Sequence, residues 1–350
     1  MTFIHTVVKE ILFRTHVYHF TGNWDYLRYG PNPVENQPGK VIFDSERGTN
    51  YLFDMLNDSA GYEWLHANVA DEASRQWILE LLTYRVLGYA HVKLPLNTPE
   101  FWNEYQTIDS RYLVESNVAQ SSVFSLHRYR AEVHGHMLDL IGHPLSVLMM
   151  RLGQYYFDRD GVKIGPQAGD IVIDGGGCWG EAAIDFANVV GPAGRVYSFE
   201  FVPNNLAIYR NNLAMNPDAA SRITIVERAL GKSSGELVKY DDVGPATVVG
   251  HPNATMQVST LTIDDLVREQ NLPRVDFIKL DIEGAERDTL AGAVHTIRTF
   301  RPRMALCLYH RPSDLFAIPQ IVRQIESRYE LRIDHYTIYD QETVLYARVV

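Results

Sequence analysis

VIDGGGCWGEAA, residues 172–183, is the stretch on which the fold turns. An apolar run ends in an acid, Asp174. Gly175, Gly176 and Gly177 follow, then Cys178, Trp179, Gly180 and a segment with helical spacing. Strand, glycine turn and helix make the first unit of a doubly wound α/β sheet, where ligands sit beyond the carboxyl ends of the strands. Gly175-x-Gly177-x-x-Gly180 has the spacing of a dinucleotide fingerprint. Such a run also serves, with no ligand at all, as a tight turn that packs a helix on a sheet.

Asp174 separates the ligand classes. A carboxylate pointing into the turn repels a pyrophosphate, which a helix N-terminus would otherwise welcome. S-adenosylmethionine carries no phosphate, and its methionine end holds an ammonium and a sulfonium. Attraction between unit charges about 4 Å apart is worth roughly 4 kcal/mol at an effective dielectric near 20, before desolvation. Glu200 ends the next strand, in RVYSFEF, and an acid there can accept both hydroxyls of a ribose in either class.

Working outward, strand and helix patterns alternate from about residue 155. DIVIDGGG, RVYSFEF, RITIVERAL, VDFIKLDI and RMALCLYH read as strands; EAAIDFANVV, PNNLAIYRNNLAM, TIDDLVREQ and GAERDTLAGAVHTIRTF read as helices. This rhythm predicts a mostly parallel sheet covered on both faces. LRIDHYTIYDQETVLYARV reads as two strands whose link is too short for a crossover, so they pair antiparallel. The expectation is a Rossmann-like sheet of the class I methyltransferase arrangement over residues 151–350. Residues 1–150 form an α+β region for acceptor binding or dimerisation. In that region DEASRQWILELLTYRVLG is a helix stopped by Gly88, NTPEFWNEYQ starts another with Thr98 as cap, and AEVHGHMLDLIGHPLSVLMM reads as two strands turning at Gly142, His143 and Pro144.

GDIVIDGGGCWGEAAIDFA, RVYSFEFVPNNL, VDFIKLDIEGAE and LCLYH with RPSDLFAIP together resemble the FkbM-type methyltransferases, over roughly residues 150–350. VDFIKLDIEGAE is the most specific element. The resemblance implies an S-adenosylmethionine-dependent O-methyltransferase that acts on hydroxyls of sugars, glycans or natural products. It also implies that Asp174, the turn at Gly175, Gly176 and Gly180, and Glu200 hold the cofactor. GQYYF at 153–157 is similar to a lead-in segment that closes over the cofactor, which adds Gln154 and Tyr155. The turn departs from the family at Gly177, Cys178 and Trp179; Trp179 either walls the methionine pocket or packs at the helix start.

Lys279, Asp281 and Glu283 alternate along one strand end, which sends them to one side. Asp281 is the candidate for orienting the His310 imidazole or holding the acceptor hydroxyl, and Lys279 for stabilising a developing alkoxide. Glu283 and Glu286 are equally explained by the dipole of the following helix. His310, at the end of LCLYH, is the candidate general base. Asp281 and Glu283 could hold magnesium or calcium, but no third ligand is evident, so no metal is expected. His134, His136 and His143 fall in a plain two-stranded ribbon. The aromatic residues Trp24, Tyr26, Trp64, Trp77, Trp102 and Tyr105 either pack inside or stack on an acceptor sugar.

Composition narrows the partners. The 350-residue chain has a net charge of −11, which weighs against nucleic acid and anionic membrane. Two cysteines give no disulfide framework. The first twenty residues are interrupted by Lys9, Glu10 and Arg14 and have no cleavage site, so a cytoplasmic protein is expected. Its expected partners are a small-molecule or glycan acceptor and a second copy of itself. Two rivals stand beside this reading: a nicotinamide-dependent oxidoreductase, against which Asp174 speaks, and a non-catalytic binding protein on a degenerate methyltransferase fold.

Overall fold

The computed structural model describes residues 2–32, 45–250 and 253–350. A seven-stranded sheet organises it, and its strands are numbered in chain order: β1 (Ile171–Gly175), β2 (Arg195–Phe199), β3 (Ile223–Val226), β4 (Phe277–Leu280), β5 (Arg303–Cys307), β6 (Tyr329–His335) and β7 (Thr343–Val349). Their order across the sheet is β6-β7-β5-β4-β1-β2-β3. The ladders β5-β4, β4-β1, β1-β2 and β2-β3 are all parallel. Strand order reverses between β1 and β4, and the glycine turn leaves β1 at that point. β4 is buried at all four positions, as a near-continuous apolar run interrupted by Lys279 requires in a strand covered on both faces.

The turn is followed by helix α1 (Glu181–Val190), and β2 is followed by helix α2 (Pro203–Met215), with Pro203 at its first position. The helical pattern after β4 breaks into α3 (Glu286–Ala291) and α4 (Val294–Phe300) around Gly292 and Ala293. RITIVERAL likewise divides, with β3 ending at Val226 and a short strand at Ala229–Leu230.

Two compact units make up the chain. The first comprises Met1–Gln106, Leu308–Gln320 and Glu330–Leu345; the second comprises Thr107–Cys307, Ile321–Tyr329 and Tyr346–Val350. These limits differ from the boundary at 150 expected from sequence texture. The second unit contains a three-stranded antiparallel ribbon, Leu113–Gln120, Ser125–Val133 and His136–Gly142. Its last hairpin turns at His134 and Gly135, both with positive φ (48° and 80°), and not at Gly142–Pro144. A two-residue loop with positive φ at both positions matches the strand twist, and glycine makes it accessible. Pro144 instead occupies the first turn of helix Pro144–Arg151, with the His143 side chain accepting from Leu145 N. Asn212 of α2 fixes the ribbon: it accepts from Ile141 N at 2.6 Å and donates to Ile141 O at 2.9 Å and to Trp179 O at 2.8 Å.

In the first unit, helix Glu72–Leu87 is capped by Asp71, which accepts from Ser74 N at 2.7 Å, and ends at Gly88 with φ 73°. Trp77, Tyr84 and Tyr105 are buried there, as the core reading of these rings requires, while Tyr26 is exposed. The Tyr105 hydroxyl donates to buried Asp25 at 2.5 Å. No helix among the described residues is long and apolar enough to cross a membrane.

Candidate active site

Parallel register places Lys279 of β4 beside Asp174 of β1, and Asp174 beside Ser198 of β2. These three polar side chains therefore form a row on one face of the sheet, directly below the glycine turn. All are buried, Asp174 completely. The Lys279 ammonium lies 3.2 Å from Asp174 Oδ1 and donates to the carbonyls of Gly175 at 3.0 Å and Gly176 at 2.7 Å. Ser198 donates to Asp174 Oδ2 at 2.6 Å. Burial works against the charged lysine, but Asp174 and Asp281 outweigh it and hold its pKa above the usual lysine value.

These contacts bear on the roles expected of two residues. Lys279 donates to two carbonyls and is paired with a carboxylate, so its ammonium is engaged within the protein. The Asp174 charge is met by Lys279 and by the Ser198 hydroxyl. The alternation of Lys279, Asp281 and Glu283 also stops at Leu280, where β4 ends. Glu283 and Gly284 then adopt positive φ (54° and 95°), so Glu283 lies in a loop.

The glycines are required by the protein's own packing. A Cβ on Gly176 (φ 85°) would overlap the Asp281 carbonyl, and one on Gly180 (φ 88°) would overlap the Tyr209 ring. Three of the turn's amides are bonded within the protein: Gly176 N and Gly177 N both donate to Phe199 O, at 3.2 and 2.8 Å, and Gly180 N donates to Gly177 O at 2.7 Å. Those three are not offered to a pyrophosphate. Trp179, 2% exposed, packs with Leu126, Ile208, Phe124 and Ile141, which answers the choice left open by its bulk in favour of packing at the helix start.

Glu200 follows β2. Its Oε1 accepts from Phe201 N and Val202 N, both at 2.7 Å, and Oε2 accepts from Asn205 Nδ2 at 3.3 Å. Burial pushes its pKa up to about 7, against the lowering effect of these donors and of the Cys178 amide. Around the two strand tips several buried acceptors have no hydrogen-bond partner: Glu181 Oε2, Asn204 Oδ1 and Asn205 Oδ1. Such atoms cost free energy until a donor meets them. Glu181 and Asn205 carry no fingerprint. An acid in a first helical turn is an ordinary companion of the helix dipole, so sequence reading passes over it.

Beyond β4, Tyr155 (φ 75°) donates its hydroxyl to Asp281 Oδ2 at 2.6 Å, and its ring lies 5.1 Å from the Lys279 ammonium. Gln154 is buried beside it in sequence. Glu286 Oε1 accepts from Ile282 N at 2.9 Å and holds the loop after Asp281 in place. The structure thus brings Asp174, Lys279, Asp281 and Tyr155 together around the turn. His310 belongs to the first unit, three residues past the end of β5, with its ring 4.2 Å from that of Tyr309. His134 is engaged with Asp185 at 3.0 Å and lies 3.8 Å from the Tyr156 ring. Among the described residues no group of three or more His, Cys, Asp or Glu side chains is arranged to hold a metal ion.

Residues 162–330 match the methyltransferase FkbM domain family. The fold is similar to the crystal structure of methyltransferase FkbM from Methylobacillus flagellatus KT, at 22% identity and a TM-score of 0.54, over 84% of this chain and 60% of that one. The chain therefore spans 60% of the length of that relative. Looser likenesses are to Aeropyrum pernix fibrillarin with natively bound S-adenosyl-L-methionine (15% identity, 68% and 99% of the two chains, TM-score 0.36) and to the O-methyltransferase from Bacillus cereus in complex with SAH (16%, 59% and 79%, 0.33). No curated protein matches the chain. A parallel sheet of this order, a glycine turn after β1 and an acid after β2 agree with the match of residues 162–330 to a methyltransferase FkbM domain.

Proposed function

We propose that the chain is an S-adenosylmethionine-dependent O-methyltransferase acting on a hydroxyl of a sugar, glycan or natural product. The observation that carries the cofactor is the set of unpartnered acceptors at the β1 and β2 tips, Glu181 Oε2, Asn204 Oδ1 and Asn205 Oδ1, beside the Glu200 carboxylate. They ask for a ligand that brings donors. S-adenosylmethionine brings ribose hydroxyls, an exocyclic amine and an ammonium, whereas a dinucleotide brings phosphate oxygens to amides already bonded to Phe199. Glu200 would take the ribose hydroxyls.

The cofactor supplies an electrophilic methyl carbon. The chain's residues must hold the acceptor oxygen in line with it and remove a proton. Asp281, its carboxylate oriented by the Tyr155 hydroxyl, is suited to hold the acceptor hydroxyl. The proton falls to His310, since Lys279 is buried and engaged. Positioning of this kind supplies much of the rate in displacement reactions. The family's resemblance, and not the geometry, is the support for hydroxyl acceptors.

Transfer of a radiolabelled methyl group to a panel of sugars and polyhydroxylated natural products tests the reading. Label is expected to appear in an alkali-stable ether of at least one alcohol. Label confined to amines or thiols would overturn the O-methyl assignment, and a protein that takes up cofactor without any transfer would favour a binding role.

A further inference from the structure

Asp174 is the acid that a sequence reading offers to the ammonium of a bound methionine moiety, and Lys279 has already claimed it. The chain places a second acid next to the turn. Glu181 opens α1 directly after Gly180, and its Oε2 is buried with no hydrogen-bond partner. Burial raises its pKa, while its own amide, the Ser146 side chain and Lys279 act in the opposite direction. Glu181 directly follows the turn in the chain and Glu200 directly follows β2, the strand paired with β1, so the two acids flank the turn. With Asp174 and Lys279 mutually neutralised, Glu181 is a carboxylate whose charge no ion pair among those described here offsets.

We propose that Glu181 receives the ammonium of the cofactor's methionine end, which rests on the reading above that this turn holds S-adenosylmethionine. Glu200 and Glu181 then divide one ligand between them: the first takes the ribose, the second the amino acid end, with the glycine turn between. An ammonium provides what Glu181 lacks, a donor for the buried Oε2 and a counter-charge, and a charge-assisted bond is stronger than a neutral one. The helix N-terminus favours the ionised carboxylate in the meantime and accounts for an acid being tolerated there. A role in helix stability alone would make no distinction between ligands with and without an ammonium.

That distinction is the test. S-adenosylhomocysteine and 5′-methylthioadenosine share adenine, ribose and sulfur, but only the first carries the amino acid end. Calorimetric titration of both into the wild-type chain and into Glu181→Gln is expected to show S-adenosylhomocysteine weakened at least about tenfold in the variant, or about 1.4 kcal/mol, with 5′-methylthioadenosine changed by less than about twofold. Equal weakening of both ligands, or no weakening of either, overturns the assignment. A comparison on the wild-type chain requires no variant to fold: replacing the ammonium of S-adenosylhomocysteine by hydrogen is expected to cost about tenfold or more, and equal affinity of the two compounds overturns the proposal. A wild-type chain that binds neither S-adenosylhomocysteine nor 5′-methylthioadenosine overturns the cofactor reading itself, a result distinct from the others.

Discussion

Lys279→Met is expected to destabilise the chain by about 3–5 kcal/mol, the range for removing one partner of a buried ion pair. The methionine fills the volume of the lysine stem but leaves Asp174 fully buried with only the Ser198 hydroxyl to meet its charge. It also strips the carbonyls of Gly175 and Gly176 of their donor. Asp174→Asn in the same chain removes the stranded charge, so the double variant is expected to recover more than half of the loss. Urea midpoints at constant slope measure both changes. A loss below about 1 kcal/mol in the single variant would contradict the account of the row beneath the turn, as would a double variant no more stable than the single.

Turnover is expected to fall roughly 10²–10⁴-fold in His310→Ala, the range for loss of a general base. An alcohol's proton has to leave as the oxygen–carbon bond forms. Of the side chains that the sequence offered for this work, Lys279 is buried and engaged with acceptors, and Asp281, which accepts the Tyr155 hydroxyl, is assigned to hold the acceptor. The affinity for S-adenosylhomocysteine should stay within about threefold, since the ligand's ends are assigned to Glu181 and Glu200; this gives a loss in kcat without a matching change in cofactor binding. His310→Gln retains hydrogen bonding but cannot carry the proton, and should resemble the alanine variant. Near wild-type turnover in His310→Gln would transfer the proton to Asp281 and leave the histidine a positioning role.

These two expectations rest on features that were unequally visible in the sequence. Strand β1, the turn and α1 were legible because a buried apolar run, a glycine cluster and a helical period follow one another within twenty residues. The cap Thr98 was legible for the same reason, because the signal is local, whereas Asp71, which reads as an acid of the first turn, is itself the cap. The partnership of Lys279 and Asp174 was not, because it comes from parallel register between strands about a hundred residues apart, and neither residue's neighbours record it. Pro144 looks like a turn residue and is one that starts a helix; the real hairpin turn at His134 and Gly135 has a weaker composition signal. A unit assembled from Met1–Gln106 with two segments from beyond residue 307 cannot be seen as a change of texture along the chain.

The central claim is that the tips of β1 and β2 receive a nucleoside that brings hydrogen-bond donors and no phosphate. Calorimetric titration of S-adenosylhomocysteine and of NAD+ into the wild-type chain tests it most directly, at pH 6 and pH 8. Glu200 gives the sign of the pH effect. Its pKa is raised to about 7, chiefly by burial, so the carboxylate that accepts ribose hydroxyls is mostly protonated at the lower pH and mostly ionised at the higher. For the same reason the ligand-free chain loses stability as pH rises through that value, while ligand binding gains. The account predicts one S-adenosylhomocysteine bound per chain, an affinity that rises up to about tenfold from pH 6 to pH 8 and rises far less in Glu200→Gln, and no saturable binding of NAD+. Binding of NAD+ in preference to S-adenosylhomocysteine, or of neither, would contradict it.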